Sequence, residues 1–254
     1  MLDLLKKIAY DAGRLILEVY KSDDFDIQIK NDNSPLTLAD KRSHDFIAAA
    51  LGKNFPGIPL LSEEGADIEF NERKKWDQFF LVDPLDGTKE FIKKNGEFTV
   101  NIALIKDRRP VLGVINVPVT NETYYGSVES GSFKELNGSI EKIKVSRNSK
   151  DDELTVVKSR SHSGDEENEF YSKYNIKESI SKGSSLKICM VAEGKAELYF
   201  RGGPTWEWDT AAGHAVLISA GGYFTNKDYS NLFYNKEVPK NYGFIASSFQ
   251  ISNP

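Results

Sequence analysis

The chain has 254 residues, of which 39% are hydrophobic and 28% charged, and its formal net charge at pH 7 is −5. This length is ample for a buried core, and the acidic balance argues against a basic surface built to bind a nucleic-acid polymer. The lone cysteine, Cys189, excludes an intrachain disulfide and a thiolate metal cage, and no apolar run approaches the roughly 20 residues of a membrane span, so we expect a cytoplasmic protein.

Helices and strands are expected to follow one another through the first 150 residues. Apolar residues from Leu2 to Val19 fall at helical spacing and predict an amphipathic helix over residues 2–20. A strand is expected at 26–30, a polar turn at 31–35 and a second helix from about Thr37 to Asn54. Further strands are expected at 59–62, 79–82, 98–105, 110–117 and 122–127, and the Gly- and Ser-rich residues 126–139 indicate a hairpin or loop.

Strands and helices alternate again after residue 154. The expected strands are 155–159, 197–200 and 222–225, and the expected helices lie at about 164–174, 188–194 and 210–220. The break near residues 146–153 predicts a boundary between an N-terminal α+β part, residues 1–150, and a C-terminal α/β part, residues 151–254.

The most informative segment follows the apolar run at 79–82. Asp83 and Asp86 lie on a turn that Pro84 and Gly87 favour, at the end of the expected strand, where open α/β sheets bind ligands. Carboxylate oxygens suit Mg²⁺, and exposed amides from Gly87 onward suit a phosphate. Taken alone, the same residues are also typical of an ordinary turn.

Other acidic residues extend this pattern. Glu63 follows the apolar residues 60–62, Asp209 lies just before the helix expected at 210–220, and Asp40 lies in the first turn of the second helix. Each has a structural alternative: an exposed acidic loop for Glu63, and helix capping for Asp209. Together they form an all-oxygen set without Cys or His, which points to Mg²⁺ rather than zinc.

The second half supplies candidate anion-binding residues. Ser184 and Lys187 lie in a small, flexible segment at 181–187, and Arg201 could form a forked contact with a phosphate. His162 is a further candidate, although a histidine in such a loop is more often an exposed surface residue.

Three motifs together resemble the signatures of the lithium-sensitive, Mg²⁺-dependent phosphatase superfamily that includes inositol monophosphatase and fructose-1,6-bisphosphatase. They are Ser62-Glu63-Glu64, Asp83-Pro84-Leu85-Asp86-Gly87-Thr88 and Trp208-Asp209-Thr210-Ala211-Ala212-Gly213. The segments 32–40, 87–105, 159–162, 183–187 and 191–200 resemble its CysQ-type 3′(2′),5′-bisphosphate nucleotidase branch, and the resemblance covers nearly the whole chain. Within them, 89–101 is much closer to this branch than to inositol monophosphatases.

The resemblance implies an α/β sandwich of alternating helix and sheet layers, with a metal-binding N-terminal part and a nucleotide-binding C-terminal part. It implies hydrolysis of the 3′-phosphate of adenosine 3′,5′-bisphosphate (PAP) to AMP, and extends to its sulfated form PAPS, in sulfur metabolism. By matching positions, the resemblance gives two or three Mg²⁺ ions held by Glu63, Asp83, Asp86, Asp209 and the Leu85 carbonyl. It gives water activation to Asp40 and Thr88, and phosphate or nucleotide contacts to Gly87, Thr88, His162, Ser184, Lys187 and Arg201.

Alternatives stay open at this point. The same site would suit an inositol monophosphatase or a broad sugar-phosphate phosphatase, and a nucleotide sensor without turnover is the rival from another class. An aspartyl-phosphate route is disfavoured because two residues, not one, separate Asp83 from Asp86, and no calcium-loop pattern occurs. The expected partner is a small nucleotide bisphosphate. Oligomeric state and peripheral association with the inner face of the cell membrane are not determined by the sequence.

Overall fold

A computed structural model describes residues 1–22, 28–29, 35–65, 67–160 and 164–251. The helices are α1 Leu2–Lys21, α2 Leu38–Asn54, α3 Phe70–Arg73, α4 Thr88–Ile92, α5 Asp165–Tyr171, α6 Leu186–Ala192 and α7 Glu207–Ser219, with a 3₁₀ turn at Glu63–Gly65. The strands of the N-terminal half are β1 Gln28–Ile29, β2 Pro35–Leu36, β3 Leu60–Ser62, β4 Gln78–Asp86, β5 Thr99–Lys106, β6 Arg109–Val117, β7 Glu122–Ser127, β8 Gly131–Leu136 and β9 Ser139–Ile143. Those of the C-terminal half are β10 Leu154–Ser159, β11 Ile176–Lys182, β12 Leu198–Arg201, β13 Thr205–Trp206, β14 Tyr223–Asn226, β15 Lys240–Asn241 and β16 Phe244–Ser247.

Two large sheets organise the described residues. The first has seven strands in the order β3-β4-β5-β6-β7-β8-β9, with β3 parallel to β4 and the other neighbours antiparallel. The second has five strands in the order β11-β10-β12-β16-β14, with its first three strands parallel. Two-stranded pairs form between β1 and β2 and between β13 and β15.

Helices α1 and α2 cover one face of the seven-stranded sheet. The apolar stripe of α1, which includes Leu5, Ala12 and Ile16, is buried together with Phe80 and Val114 from the sheet. This packing is what the sequence pattern of residues 2–20 predicts, because a helix with one apolar stripe is stable only when that stripe is covered.

Helices α6 and α7 fill the space between the two sheets. α7 is buried along nearly its whole length, as expected for a helix with a sheet on each side. Its backbone approaches β6 so closely that a Cβ at Gly113 would lie 2.3 Å from the Ala212 carbonyl oxygen. Only glycine fits there, so Gly113 sets the distance between α7 and the sheet.

Helix α5 covers the outer face of the five-stranded sheet, where Phe170 stacks on Phe200 with ring centroids 4.1 Å apart. The order of layers is therefore helix, sheet, helix, sheet, helix, in agreement with the predicted alternation. One core cluster takes Phe79 and Ile115 from the first half and Val216 and Tyr234 from the second. The division into two parts near residue 150 stays a prediction.

Several predicted elements differ from the structure. The segment 126–139 holds the end of β7, all of β8 and the start of β9, so the hairpin is right and the loop alternative is wrong, whereas β11 and β16 have no counterpart among the predicted strands. Strand β11 is mostly exposed and polar, so it has no apolar alternation to reveal it. Most of the predicted strand 26–30 and of the turn 31–35 lie outside the described residues. Within the described ranges, no helix is both long enough and apolar enough to cross a membrane.

Candidate active site

A cavity of about 290 Å³ opens between the β4–α4 turn, the loop before α6 and the start of α7. It brings together residues that are far apart in the sequence. The predicted site residues that line it are Glu63, Asp83, Leu85, Asp86, Gly87, Thr88, Ser184, Lys187, Arg201 and Asp209. Asp40 lies directly behind Thr88, whereas His162 lies outside the described residues.

Asp83 and Asp86 are positioned by an irregular end of β4. The predicted end of this strand at residue 82, before a turn that Pro84 favours, is wrong. Asp83 pairs with Asn101 and Asp86 pairs with Thr99, with a shift of register between them, so the strand continues past the proline as a bulge. Proline is tolerated at a bulge because the ladder is already interrupted there, and bulges often redirect side chains near active sites.

The turn after β4 requires glycine at position 87. Gly87 has φ = +93°, and a Cβ there would lie 3.1 Å from the Glu97 carbonyl oxygen and 3.3 Å from Ser184 Cβ. Helix α4 begins directly afterwards at Thr88. The turn therefore lets the N-terminal half and the loop containing Ser184 approach each other closely.

Asp40 links the start of α2 to Thr88. Its Oδ2 accepts hydrogen bonds from the Thr37 backbone N–H at 2.8 Å and the Thr37 hydroxyl at 2.5 Å, which completes a capping box. The Thr88 hydroxyl can donate to Asp40 Oδ1 at 3.3 Å or to the Leu85 carbonyl at 3.4 Å. Asp40 is only 1% exposed, so its carboxylate is held in place behind the cavity wall.

Asp86 is fixed by residues from the other half of the chain. Its Oδ2 accepts hydrogen bonds from the Ser184 hydroxyl at 2.6 Å, the Ser185 backbone N–H at 2.7 Å and the Ser185 hydroxyl at 2.8 Å. Asn101 Nδ2 lies 3.4 Å from the same oxygen and donates to the Ser185 hydroxyl at 2.9 Å. Ser185 and Asn101 are not among the site residues predicted from the sequence. The available signal was a polar residue within the apolar strand predicted at 98–105.

Asp209 lies inside α7 rather than just before it. The expected helix start at about residue 210 is wrong, because α7 begins at Glu207 and Asp209 is its third residue. Its Oδ2 accepts a hydrogen bond from the Trp206 backbone N–H at 2.8 Å, so the carboxylate caps the helix from within. The neighbouring Glu207 is fully buried and accepts hydrogen bonds from the backbone N–H groups of Asn235 and Lys236, which is a structural role.

The acidic residues repel one another electrostatically. Burial, followed by the charges of Glu63 and Asp86, raises the pKa of Asp83 well above its usual value. Burial, followed by the same two neighbours, also raises the pKa of Asp209 well above its usual value. Among the described residues, no three such side chains stand at coordination spacing around a single point. They line one region of the cavity, and an all-oxygen donor set of this kind fits a hard divalent cation.

Positively charged side chains line the same cavity. Lys187 is the second residue of α6, not part of the preceding loop as predicted, and its Nζ donates to the Ser184 carbonyl at 2.6 Å. Burial lowers the pKa of Lys187, with Asp86 acting to raise it and Arg201 acting to lower it. Within the described residues, Arg201 Nε is buried without a hydrogen-bond partner. These two cations could bind an anionic group beside the carboxylates.

A layered fold whose cavity is lined by several carboxylates together with Lys187 and Arg201 is the arrangement expected of a phosphoester-processing protein, and the comparison with known proteins agrees. Residues 1–251 match the inositol monophosphatase family, and the chain belongs to that family. Proteins named 3′(2′),5′-bisphosphate nucleotidase CysQ from Salmonella typhimurium and Escherichia coli K12 are each 45% identical over 251 residues. These alignments cover 98% of this chain and 100% of either relative, and place the chain in the CysQ branch that the sequence motifs predicted.

Solved structures confirm the predicted fold class. CysQ from Bacteroides thetaiotaomicron superposes with a TM-score of 0.84 at 41% identity, covering 96% of this chain and 95% of that one. An IMPase from Thermotoga maritima superposes with a TM-score of 0.77 at 26% identity, covering 97% of this chain and 91% of that one. Enzymes of this family are generally metal-dependent.

Proposed function

We propose that this protein is a 3′(2′),5′-bisphosphate nucleotidase that removes the 3′-phosphate of PAP to give AMP and phosphate, and that also accepts PAPS. The observation that carries the proposal is a cavity in which Asp83, Asp86 and Asp209 face Lys187 and Arg201. It is supported by near-complete alignment at 45% identity with relatives that bear this enzyme name. The activity serves sulfur metabolism and nucleotide recycling.

The cofactor in this proposal is Mg²⁺, with two or three ions. Glu63, Asp83, Asp86, Asp209 and the Leu85 carbonyl would hold them, because these groups offer the oxygen ligands that Mg²⁺ requires. When bound, the ions neutralise charge on the phosphate and the leaving oxygen and lower the pKa of a water molecule.

The chain's own contribution to water activation is the pair of Thr88 and Asp40. When the Thr88 hydroxyl donates to Asp40 Oδ1, its oxygen can accept a hydrogen bond from a water molecule in the cavity. The two Thr37 donors occupy Asp40 Oδ2, so the carboxylate keeps its orientation while it receives the proton through Thr88.

The phosphate and nucleotide contacts come from both halves of the chain. The backbone amides of Gly87 and Thr88 are fixed donors next to the carboxylates, and they add to the stabilisation of charge that develops on phosphoryl oxygens. Lys187 and Arg201 are suited to the second phosphate of a bisphosphate. Ser184 and His162 are further proposed contacts.

The substrate assignment is tested by measuring phosphate release from PAP and from inositol 1-phosphate in parallel, with Mg²⁺ and then with added Li⁺. We expect strong preference for PAP and inhibition by Li⁺, because a bisphosphate can engage the cations and the metal site together. A preference for inositol 1-phosphate would show that the substrate assignment is wrong, and it would leave the assignment of the metal site unchanged. Absence of release from both substrates would instead favour a sensor.

Lys187→Ala tests the basis of that preference. Its buried ammonium group is expected to pair with the second phosphate, and a hydrogen bond to a charged group contributes about 1.5–3 kcal/mol. We therefore expect the KM for PAP to rise by about 10- to 100-fold and that for a monophosphate to change far less. Lys227→Ala, which removes an exposed ion pair with Glu166, is the matched control. Equal increases for both substrates would contradict the assignment.

The cellular location and the partner are also proposed. A cytoplasmic location rests on the lone, buried Cys189, which fits a reducing compartment. The proposed partner is a small nucleotide bisphosphate, not a nucleic-acid polymer.

A further inference from the structure

Glu97 lies in the connection between α4 and β5 and contacts three residues of the C-terminal half. Its Oε2 accepts hydrogen bonds from Arg160 Nε at 3.0 Å and from the Gly183 backbone N–H at 2.8 Å. Its Oε1 accepts from Arg160 Nη2 at 2.9 Å and from Lys182 Nζ at 3.3 Å. The Glu97 side chain is 13% exposed, against 46% for Arg160 and 38% for Lys182.

The contacts of the Glu97 carboxylate differ from those of an exposed surface ion pair. Burial acts to raise the pKa of Glu97, but the hydrogen bonds from Arg160, Gly183 and Lys182 outweigh it and leave that pKa below its usual value. Four donor contacts to one largely buried carboxylate constrain its position much better than a single exposed pair.

The backbone around Glu97 is in equally close contact with the site. A Cβ at Gly183 would lie 3.0 Å from the Glu97 carbonyl oxygen, and a Cβ at Gly87 would lie 3.1 Å from the same atom. Residue 97 is therefore packed between the turn that carries Asp86 and the loop that carries Ser184 and Ser185. Movement of Glu97 would disturb both segments.

Gly183 connects this carboxylate to Asp86. Its N–H donates to Glu97, and the next two residues, Ser184 and Ser185, supply three hydrogen bonds to Asp86 Oδ2. Glu97 itself does not line the cavity, so it can act only through its neighbours.

We propose that Glu97 is a positioning residue for catalysis, which fixes Lys182 and Gly183 so that Ser184 and Ser185 orient the Asp86 carboxylate. The proposal rests on the proposed function, since Asp86 matters here as a cation ligand. The simpler alternative is that Glu97 only stabilises the contact between the two halves of the chain.

Glu97→Ala separates these two roles. Loss of a residue that orients a metal ligand typically costs about 10- to 100-fold in metal affinity or activity. We expect kcat for PAP and the Mg²⁺ affinity, measured by isothermal titration calorimetry, each to fall by about that factor. The KM for PAP should change less, because Lys187 and Arg201 remain. Glu97→Gln, which keeps an oxygen acceptor for Gly183, should lie between wild type and Glu97→Ala.

Coupling to Ser185 provides the decisive readout. If Glu97 acts through the serine loop, the kcat loss in the Glu97→Ala, Ser185→Ala double variant should be clearly smaller than the product of the single losses. Glu166→Ala, which removes the exposed pair with Lys227 at 2.8 Å, should leave kcat and Mg²⁺ affinity unchanged.

Three results would overturn the proposal: unchanged kcat and Mg²⁺ affinity in Glu97→Ala, losses that multiply independently in the double variant, or a lower Tm as the only effect. If Glu97→Ala does not fold, Glu97→Gln is judged by the same criteria, alone and combined with Ser185→Ala. Failure of the proposed function would be recognised separately, because wild-type protein would then release no phosphate from PAP. The Mg²⁺ titration would still test the positioning role.

Discussion

Asp86→Asn is expected to reduce kcat for PAP by about 10²- to 10³-fold while leaving the fold intact. The amide oxygen of asparagine can take the place of Asp86 Oδ2 as the acceptor for Ser184 and Ser185. The negative charge offered to a cation is lost, and removing one group that stabilises transition-state charge typically costs about this factor. The loss corresponds to roughly 2.7–4 kcal/mol of activation free energy.

Steady-state kinetics at saturating Mg²⁺, with circular dichroism and thermal unfolding of the same samples, would measure both parts of this expectation. Asp228→Asn is a matched control, because Asp228 is exposed and only hydrogen-bonds Ser230 locally. Its kcat should equal that of wild type. A folded Asp86→Asn protein with nearly full activity would remove Asp86 from the proposed ligand set.

The local part of this site could be predicted from the sequence because its geometry is encoded by neighbouring residues. Pro84 and Gly87 indicate an irregular strand end and a tight turn, and the carboxylates on either side are then brought close together. The Thr37–Asp40 capping box is similarly local, since its partners are three residues apart.

The long-range part could not be predicted. Ser185 lies 99 residues from Asp86, and Gly183 lies 86 residues from Glu97, so no spacing rule connects either pair. These contacts exist because α6 and α7 fill the space between two sheets, and that packing depends on the whole chain. The helical start at Glu207 was missed for a related reason: its carboxylate is buried by residues near 235, which a helix pattern does not reveal.

The same separation between local and global information explains the errors in secondary structure. Strands β8 and β9 carry mostly polar or exposed side chains with little apolar alternation, so their sequence alone does not separate the predicted hairpin from a loop. They are strands because β7 offers a free edge to β8, and β8 then offers one to β9. Pairing of this kind is imposed by the sheet, and it overrides weak local preference.

Asp83→Asn is expected to stabilise the metal-free protein while strongly weakening its response to Mg²⁺. Asp83 is 2% exposed, and burial together with the charges of Glu63 and Asp86 raises its pKa. A carboxyl group with a raised folded-state pKa contributes stability that is fully present below its usual value of 3.8 and is lost as pH rises through the folded-state pKa. Asparagine carries no charge at any of these pH values, and its oxygen can still accept the Leu85 N–H.

Thermal unfolding in EDTA should therefore show a higher Tm for Asp83→Asn than for wild type, with a larger difference at pH 8 than at pH 5. Each kcal/mol recovered corresponds to about 2–4 °C for a protein of this size. Mg²⁺ at about 100 times its Kd should stabilise wild type by about 2.7 kcal/mol, and the variant much less. The control variant Asp228→Asn should show no increase in Tm in EDTA and should be stabilised by Mg²⁺ as much as wild type. A variant that melts below wild type in EDTA, or that still responds fully to Mg²⁺, would show that the buried carboxylate is stabilised by the folded protein alone. A variant that melts above wild type in EDTA and responds weakly to Mg²⁺ would mean that the chain retains an unfavourable buried charge in order to bind its cation. That pattern is expected of a site selected for catalysis rather than for stability.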